Sequence, residues 1–436
     1  MSPTSRRIRV AHLVSHPIQY FVPLYRALAQ RPEIDLVVYF FSVASLQQHA
    51  EPGFGRAVMW DVPLVGGYRH MLCGDASTRP ISTRPDWKPN WGILKDLFRQ
   101  SYDVIWLHGY ANGNAWLATA LGRLLGTPVL LREEQNMLTP RSPRNLRAKR
   151  LILPLLFRNV SGLYIGVSNR AFFQRYGMKK TFPVLYGVDN DFFQHWHDEL
   201  APLRTDIRSR FGVFDSEPVV LFTGKFVDKK KPQLLLEAFR AVRRDLKCHL
   251  LLVGDGPLRA QLERQVQEHA INDVHFAGFL NQTEMPSAYV AADMFVLPSA
   301  YHETWGLVVN EAMNFSLPVI VSDRVGCAAD LVREGMNGFV FQSGDVEGLA
   351  DAIRKLILSQ DLRASFARKS KEIIADYSIS AICEQTVQAC LAVTGGNRTS
   401  SNAPSAERKE RGSERSAPVV LQTFESAGRE VRCSDD

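Results

Sequence analysis

The stretch "LPSAYHETWGLVVNEAMNFSLPVIVSD", residues 297–323, holds two short apolar runs separated by a turn and a helix-like segment. Each run is bounded by turn residues, as buried strands are. Strands joined through a helix predict right-handed crossovers and a parallel sheet. Glu303 lies in the loop after the first strand. Glu311 lies two turns into the helix, about 10 Å further along.

The same alternation of short apolar runs and longer helix-period segments continues along most of the 436-residue chain. We predict six buried strands in the first half, in "IRVAHLV", "IDLVVYFF", "DVIWLH", "TPVLLR", "LYIGV" and "FPVLY". Six more are predicted in the second half, in "PVVLFTG", "HLLLVG", "DVHFAG", "MFVLPS", "PVIVSD" and "GFVFQS". Two such sets predict an α/β protein with two doubly wound, Rossmann-like parallel-sheet domains.

Changes in composition predict the domain boundaries. Periodicity lapses where "GVDNDFFQHWHDELAPL" mixes charged, aromatic and proline residues, and after "ACLAV" the sequence becomes polar with little to bury. The predicted parts are a first domain (1–190), a linker (191–203), a second domain (204–375), a C-terminal helix with a possible return to the first domain (376–393) and a disordered tail (394–436).

A long irregular region, His49 to Trp91, interrupts the first domain with glycines, prolines and aromatic residues. Long loops in compact domains are more often functional than accidental. We expect this one to shape one wall of a cleft.

Composition excludes several classes. The net charge of +7 and the isoelectric point near 9.1 permit an anionic substrate or a membrane surface but do not specifically indicate nucleic acid. Six cysteines without a Cys-x2-Cys pair suggest neither a zinc site nor a disulfide framework. The N-terminal apolar run is short and predicts a strand, and no run approaches 18 apolar residues. We expect a cytoplasmic protein, soluble or peripheral on the inner face of the membrane.

The two glutamates of the opening stretch lie where a parallel sheet collects ligands, at the carboxyl ends of strands. Thr304 is a candidate N-cap, and Gly306 would let a ligand approach the helix backbone. Taken alone, the pair is better explained as a solvated loop residue and a surface helix residue.

The segment nevertheless resembles the Glu-x7-Glu motif of the retaining glycosyltransferases of family 4, which have the GT-B fold of two Rossmann-like domains facing a central cleft. Further matches follow in order, in "FTGKFVDKKKPQLLLEAF", "LLVGDGPLRAQLE", "VHFAGFLNQTEMPSAYVAADMFVLPS" and "VGCAADLVREGMNGFVFQSGDVEGLADAI". In the first domain, "GLYIGVSNRAFFQRYG" and "VLYGVDNDFF" are similar to the family's end of domain one. The resemblance covers roughly Ile8 to Val393.

The resemblance implies a nucleoside diphosphate sugar as donor, bound by the second domain, and an acceptor bound by the first. Lys225 and Lys230 would hold the diphosphate, Glu311 the ribose hydroxyls and Glu303 the donor sugar. The implied donor-binding residues are Gly224, Lys225, Lys230, Gly254, Glu303, Thr304, Trp305, Gly306, Leu307 and Glu311, the last helix-start positions through backbone N–H groups.

The lysines have a simpler alternative, because a run such as "DKKK" is usually a solvated turn. Their position after a strand that ends in glycine favours phosphate binding for Lys225 and Lys230, but not for Lys229 or Lys231. Most members of the family carry arginine at Lys225, and lysine cannot form the bidentate contact. No Asp-x-Asp pair is found in a strand-end loop, so neither a metal nor a cofactor is expected.

NAD binding is also disfavoured. Gly254 and Gly256 begin a Gly-x-Gly-x-x-Gly pattern, but Arg259 occupies the third glycine position. The two glycines fit a tight turn under the nucleotide base.

The acceptor-side candidates follow strands of the first domain, and they are His16, Gln19, His108, Asn112 and Glu134. Pro17 is expected to open the first helix. Glu134 lies nearest the position where many family members carry histidine, so it is predicted with His108 to act near the reacting centre. His16 has the alternative of a capping loop histidine, and Ser168 and Asn169 are expected simply to cap a helix.

A basic segment, Arg141 to Arg158, is free of acidic residues and alternates with apolar ones. Such a helix suits an anionic membrane surface, although an ordinary surface helix is an equal alternative.

The sequence therefore predicts a retaining, metal-independent glycosyltransferase of polysaccharide biosynthesis, acting on a glycan or glycolipid acceptor. A sugar-nucleotide epimerase of the same fold and a non-catalytic glycan-binding subunit are the alternatives. The donor sugar, the base and the acceptor are not encoded in any recognisable pattern.

Overall fold

Two parallel β-sheets organise the chain in the computed structural model, which describes residues 6–51, 53–77 and 90–395. Most of the predicted tail lies outside the described residues. The strands of the first half are β1 Ile8–Val14, β2 Ile34–Ser42, β3 His49–Glu51, β4 Arg56–Val58, β5 Arg69–Ser77, β6 Val104–His108, β7 Val129–Arg132, β8 Ser161–Tyr164 and β9 Thr181–Pro183. Those of the second half are β10 Val219–Thr223, β11 His249–Val253, β12 Val274–Gly278, β13 Met294–Leu297, β14 Val319–Ser322 and β15 Gly338–Phe341.

The first sheet has the order β5-β2-β1-β6-β7-β8-β9, and the second has the order β12-β11-β10-β13-β14-β15. Neighbouring strands in both sheets run parallel, which confirms the two predicted doubly wound α/β domains. The core strands are almost continuously buried because helices cover both faces, and β10 is buried at all five positions.

The helices of the first domain are α1 Val22–Ala29, α2 Trp91–Arg99, α3 Gly113–Leu125, α4 Pro143–Phe157 and α5 Val167–Arg175. They are followed by α6 Asn190–Leu200, α7 Arg204–Arg210, α8 Pro232–Arg243, α9 Arg259–Glu268, α10 Met285–Ala291, α11 Leu307–Asn314, α12 Ala328–Leu331, α13 Val346–Leu358, α14 Gln360–Ile374 and α15 Ile379–Val393. Helices α2 to α5 pack on one face of the first sheet through residues such as Leu97, Ala118 and Phe172.

The region predicted to be an irregular loop contains more structure than expected. Strand β5 pairs with β2 as the seventh strand of the first sheet, and β3 and β4 form a separate antiparallel hairpin. Residues 78–89 of that region lie outside the described residues. Strands β8 and β9 also end earlier than predicted, because Val167 already begins α5 and the segment after Pro183 leaves the sheet ladder.

The predicted linker, residues 191–203, is helical. Asp189 caps α6 by accepting a hydrogen bond from the Phe192 N–H at 3.1 Å, and a short 3-10 helix, Ala201–Leu203, follows. Phe193 is buried while Phe192 and Trp196 pack edge to face, so the aromatic residues form one helical face.

The last helix, α15, packs on the first domain. Gln385 accepts a hydrogen bond from the Leu185 N–H at 2.9 Å, and Glu384 pairs with Arg31 at 2.8 Å. The exact domain boundaries stay a prediction. No helix within the described part of the chain is long and apolar enough to cross a membrane.

Candidate functional site

Each sheet has one place where the strand order reverses direction. In the second sheet it lies between β10 and β13, and in the first it lies between β1 and β6. Ligands of open α/β sheets bind in the crevice at the carboxyl ends of such strands. The predicted donor residues follow β10 and β13, and the predicted acceptor residues follow β1, β6 and β7.

The two lysines after β10 both form ion pairs. The Lys225 ammonium lies 2.8 Å from Glu51 Oε1, a residue of the first domain, and the Lys230 ammonium pairs with the Glu303 carboxylate. The two lysines are separated by a short turn that places both over the end of the strand. Lys225 and Lys230 are thus brought to one crevice, and their contact with a diphosphate stays a prediction.

Lys229 is not the fully solvated lysine that the sequence suggested. It is half-buried, and its pKa is lowered by burial. Glu303, Lys230 and Lys225 are near enough for their charges to influence it. Lys231 instead points to Asp228, 2.7 Å away at the surface.

Glu303 is held in the turn after β13 by two side chains and a backbone contact. Ser299 Oγ donates to Glu303 Oε2 at 2.9 Å, the Lys230 ammonium contacts the same oxygen, and the Glu303 carbonyl accepts from the Gly326 N–H at 3.1 Å. Burial raises the pKa of Glu303, but the charge and hydrogen bonds of Lys230 and Ser299 outweigh it and lower the pKa overall. Glu303 is therefore an ionised, positioned carboxylate.

Helix α11 begins later than the sequence suggested. Gly306, with φ of 103°, occupies the N-cap position, and Thr304 makes no cap, so the predicted Thr304 cap is wrong. A glycine is favoured there because other residues rarely adopt this conformation. The backbone N–H groups of Trp305, Gly306 and Leu307 make no hydrogen bond within the described part of the chain. They are available to an anion at the positive end of the helix.

Glu311 is almost fully buried in α11 and accepts two tyrosine hydrogen bonds. Tyr289 donates to one oxygen at 2.6 Å, and Tyr20 of the first domain donates to the other at 2.8 Å. Burial raises the pKa of Glu311 to about 7, although both hydrogen bonds lower it. The surface-residue alternative is therefore wrong for Glu311.

A pocket between the domains connects Glu311 with the strand ends of the second sheet. The residues that line it are Gln19, Tyr20, Phe54, Trp60, Phe193, Thr223, Gly224, Val253, Gly254, Phe279, Leu280, Gln282, Met285, Val308 and Glu311. The floor is a close approach of two glycines, since a Cβ on Gly254 would lie 1.9 Å from the Gly224 carbonyl oxygen. The pocket lining is mostly apolar with a carboxylate at one end, which suits a nucleoside.

Across the cleft, the first domain contributes a buried charged cluster. His108 Nε2 lies 3.5 Å from Glu134 Oε1, and Arg132, only 1% exposed, lies 3.8 Å from the same oxygen. Burial raises the pKa of Glu134, but hydrogen bonding with His108 and Tyr186 and the charges of His108 and Arg132 lower it overall. His108 Nδ1 has no partner within the described residues. His108 and Glu134 are thus placed together, and their shared role near the reacting centre stays a prediction.

The loop that carries Glu134 contacts the turn that carries Glu303. Asn136 donates through its amide nitrogen to the Glu303 and Thr304 carbonyls at 3.4 and 3.2 Å. This contact brings the acceptor-side cluster against the donor-side turn, so both sets of candidates border one cleft.

The other acceptor-side candidates differ in their surroundings. His16 accepts or donates at 2.8 Å with Ser15, and burial together with nearby His108 and His49 lowers its pKa to about 4. Gln19 lines the pocket described above. Asn112 is the N-cap of α3, accepting from the Ala115 N–H at 2.8 Å, so its amide oxygen already has a structural task.

Two further expectations about helix starts were wrong. Helix α1 begins at Val22 with Pro23 in its first turn, so Pro17 does not open it. Helix α5 has Gly166 at its N-cap, and the side chain of Asn169 bonds to the Glu133 and Gln135 carbonyls, both at 2.7 Å. Asn169 therefore fixes the loop that carries Glu134 instead of capping its own helix.

Several site residues had no strong signal in the sequence. Tyr20 is visible only as one of several residues crowding the end of β1, and Tyr289 sits inside a helix with no motif. Arg132 could have been suspected because it ends a strand next to Glu134. Within the described residues, no group of three or more histidine, cysteine, aspartate or glutamate side chains is arranged to hold a metal ion.

Residues 204–373 match the family model described as Glycosyl transferases group 1. Alpha-D-kanosaminyltransferase of Streptomyces kanamyceticus is 31% identical over 185 residues, 42% of this chain and 47% of that protein. The lipopolysaccharide core biosynthesis glycosyltransferase LpsE of Rhizobium meliloti is 34% identical over 173 residues, 39% of this chain and 49% of that protein. The matched part spans about half the length of these relatives.

The Anabaena protein HepE, solved in complex with UDP, has a similar fold with a TM-score of 0.65 and 18% identity, covering 89% of this chain and 100% of HepE. Residues 204–373 are therefore similar to group 1 glycosyltransferase domains, and the architecture is the predicted GT-B fold of two Rossmann-like domains.

Proposed function

We propose that this chain, with its group 1 glycosyltransferase domain, transfers a sugar from a nucleoside diphosphate sugar to a hydroxyl acceptor with retention at the anomeric carbon. The observation that carries the proposal is the convergence at one crevice of Lys225, Lys230, Glu303, Glu311 and the free amides that begin α11. Cations, helix-start amides and two carboxylates at a strand-order reversal suit the diphosphate, sugar and ribose of one ligand. The UDP bound by HepE supports a donor of this class.

In this proposal the leaving diphosphate is stabilised electrostatically. Lys225, Lys230 and the N–H groups of Trp305, Gly306 and Leu307 would contact its oxygens as the bond to the sugar breaks. Charge then grows on the diphosphate, so fixed positive groups stabilise the transition state more than the ground state. At Gly224 and Thr304 the donor would lie against the protein backbone. No metal ion is required in this scheme.

The acceptor hydroxyl would enter from the first-domain side, on the same face from which the diphosphate departs. His108 and Glu134 are proposed to hold it, and the ionised state of Glu134 and the unused ring nitrogen of His108 support this role. His16, Gln19 and the amide nitrogen of Asn112 are proposed as further acceptor contacts. Glu303 would hold donor hydroxyls beside the reacting carbon.

The acceptor is proposed to be a lipid-linked glycan met at a cytoplasmic membrane surface. Helix α4 exposes Leu151, Ile152 and Leu155 together with Arg144 and Arg150. Exposed apolar residues beside arginines suit the interface of an anionic bilayer. Two members of the basic segment serve another purpose, because Arg141 bonds to the Asn136 carbonyl at 3.1 Å and Lys149 contacts Gln135.

The donor proposal is tested by titrating Glu311→Gln and Glu303→Gln calorimetrically at pH 8 with nucleoside diphosphates and their sugars. Glu311→Gln should weaken both ligand types alike by roughly 10- to 100-fold, because both contain ribose and a hydrogen bond to a charged group contributes about 1.5–3 kcal/mol. Glu303→Gln should leave the bare nucleotide bound at least as tightly and lower turnover. Glu263→Gln, on the surface of α9, is the matched control.

If both variants bind and turn over like the parent, the carboxylates are not donor ligands and the proposal fails. Formation of an altered sugar nucleotide without any acceptor, with no net release of nucleoside diphosphate, would favour the epimerase instead.

The membrane proposal is tested by co-sedimentation with phosphatidylglycerol vesicles and with neutral phosphatidylcholine vesicles. The variant Arg144→Gln, Arg147→Gln, Arg150→Gln should lose binding to the anionic vesicles. A matched triple change on another helix, Arg240→Gln, Arg243→Gln, Arg244→Gln, should not. Equal binding of all three proteins would refute docking through α4.

A further inference from the structure

A strap from the first domain crosses to the second. We define it as residues 49–51 and 53–61, the β3–β4 hairpin and the segment after it. The Met59 carbonyl accepts from the Asn281 side chain at 2.8 Å, Asp61 accepts from the Thr283 N–H at 3.1 Å, and Phe54 packs edge to face on Phe279 with 4.9 Å between ring centroids. Three independent contacts therefore hold the strap against the second domain.

The strap also places a carboxylate on one of the two lysines. Glu51 Oε1 lies 2.8 Å from the Lys225 ammonium, which also lies 5.1 Å from the centre of the Phe54 ring. Gly53 is so close that an added Cβ would lie 2.4 Å from Lys225 Cδ. Lys225 is thus enclosed by the strap on several sides, with an anion at its charged end.

The rest of the strap forms a wall of the pocket that ends at Glu311. Phe54 and Trp60 line this pocket together with Gly224 and Gly254. The first domain also covers Glu311 itself, through the Tyr20 hydrogen bond. Both ends of the donor pocket are therefore in contact with first-domain side chains.

We infer that the strap is a competing part of the donor site, in which the Glu51 carboxylate occupies Lys225 in place of a phosphate group and Phe54 and Trp60 form the first-domain wall of the nucleotide pocket. This inference rests on the proposed function. A single ammonium cannot keep a close pair with Glu51 and also contact a diphosphate without bringing two anions together. Donor binding must then displace Glu51, so the strap sets the affinity for the donor.

The test is calorimetric titration of the full chain with UDP, GDP, ADP, dTDP and inorganic pyrophosphate. Glu51→Gln keeps the side-chain shape but removes the competing charge. The Glu51–Lys225 pair is about one-third exposed, and such pairs contribute little in water, so we expect binding about 2- to 5-fold tighter. In a Lys225→Ala background the same change should give no gain.

Asp61→Asn is the matched control, because it loosens the strap at Thr283 without touching Lys225. Two outcomes support the inference. One is tighter probe binding by Glu51→Gln, absent in Asp61→Asn and lost in the Lys225→Ala background. The other is probe binding by Glu51→Gln when the parent binds no probe. A parent that binds a probe as tightly as Glu51→Gln does, or an equal gain in Asp61→Asn, overturns the competition while leaving the proposed donor intact. If no probe binds to any variant, the proposed donor class fails, and the inference fails with it.

Discussion

Glu311→Gln should change how stability depends on pH. Burial raises the pKa of Glu311 from its ordinary value of 4.5 to about 7. A carboxyl whose pKa is raised by folding contributes stability that is fully present below the unfolded pKa and is lost as the pH rises through the folded pKa. The parent should therefore lose stability between about pH 4.5 and pH 7 from this group.

The size of the effect follows from the same values. A difference of about 2.5 pH units, at about 1.36 kcal/mol per unit, corresponds to at most about 3 kcal/mol. Glutamine has the same shape, can still bond to Tyr20 and Tyr289, and never ionises. The variant should therefore gain on the parent by up to about 3 kcal/mol between pH 5 and pH 8, and be equal to it or slightly less stable at pH 5.

Melting temperature measured for both proteins at half-unit steps from pH 5 to pH 8 gives this difference directly. Every other titrating group is shared by the two proteins, so its contribution cancels. Glu263→Gln, at the surface, should run parallel to the parent at all pH values. A constant difference between Glu311→Gln and the parent would refute the buried, tyrosine-bound state of Glu311 in solution.

Three further outcomes are expected. Gly254→Ala should lower the free energy of unfolding by more than about 2 kcal/mol, because its Cβ would meet the Gly224 carbonyl, whereas Gly335→Ala, also at positive φ but with open space around it, should cost about 1 kcal/mol; urea unfolding distinguishes them. Asp330→Ala removes the acceptor of a hydrogen bond across the domains, from the Val167 N–H at 3.1 Å, and should lower the free energy of unfolding by about 1 kcal/mol. Asp345→Ala, which removes a helix cap within one domain, should have a similar cost. Proteolysis between the domains should increase for Asp330→Ala and not for Asp345→Ala. Turnover, once a donor is found, should persist in excess EDTA, and a complete loss that Mg²⁺ restores would contradict the lysine-based scheme.

The strands that could be predicted from the sequence are those buried on both faces, because such strands consist of continuous apolar residues. Strands β10 and β11, buried at every position, are read easily for this reason. Strand β5, with its sequence "RHMLCGDAS", is the first strand in the order of the first sheet and, among the described residues, pairs with β2 alone. It can therefore keep polar residues, and the apolar pattern does not predict it. The three-residue strands of the hairpin are too short for any period to appear.

The site could be predicted in part, because the carboxyl ends of parallel strands lie at the same edge of a sheet. Lys225, Lys230 and Glu303 follow strands directly, and their meeting at one crevice is a consequence of topology. Contacts between the domains have no such rule. Tyr20 and Glu311 are 291 residues apart, and Glu51 and Lys225 are 174 apart, so no local pattern encodes either pair.

Because α15 packs on the first domain, it determines where the chain can be cut when domains are exchanged between related proteins. Cys383, Val387 and Cys390 are buried, and Gln385 satisfies a backbone N–H beyond β9. A hybrid protein that takes its second domain from another protein should therefore be joined near residue 204 and again before Ile379, so that residues 379–393 remain from the parent. A single junction near residue 204 would instead pair the first domain with a foreign helix and leave α1 without its matching surface.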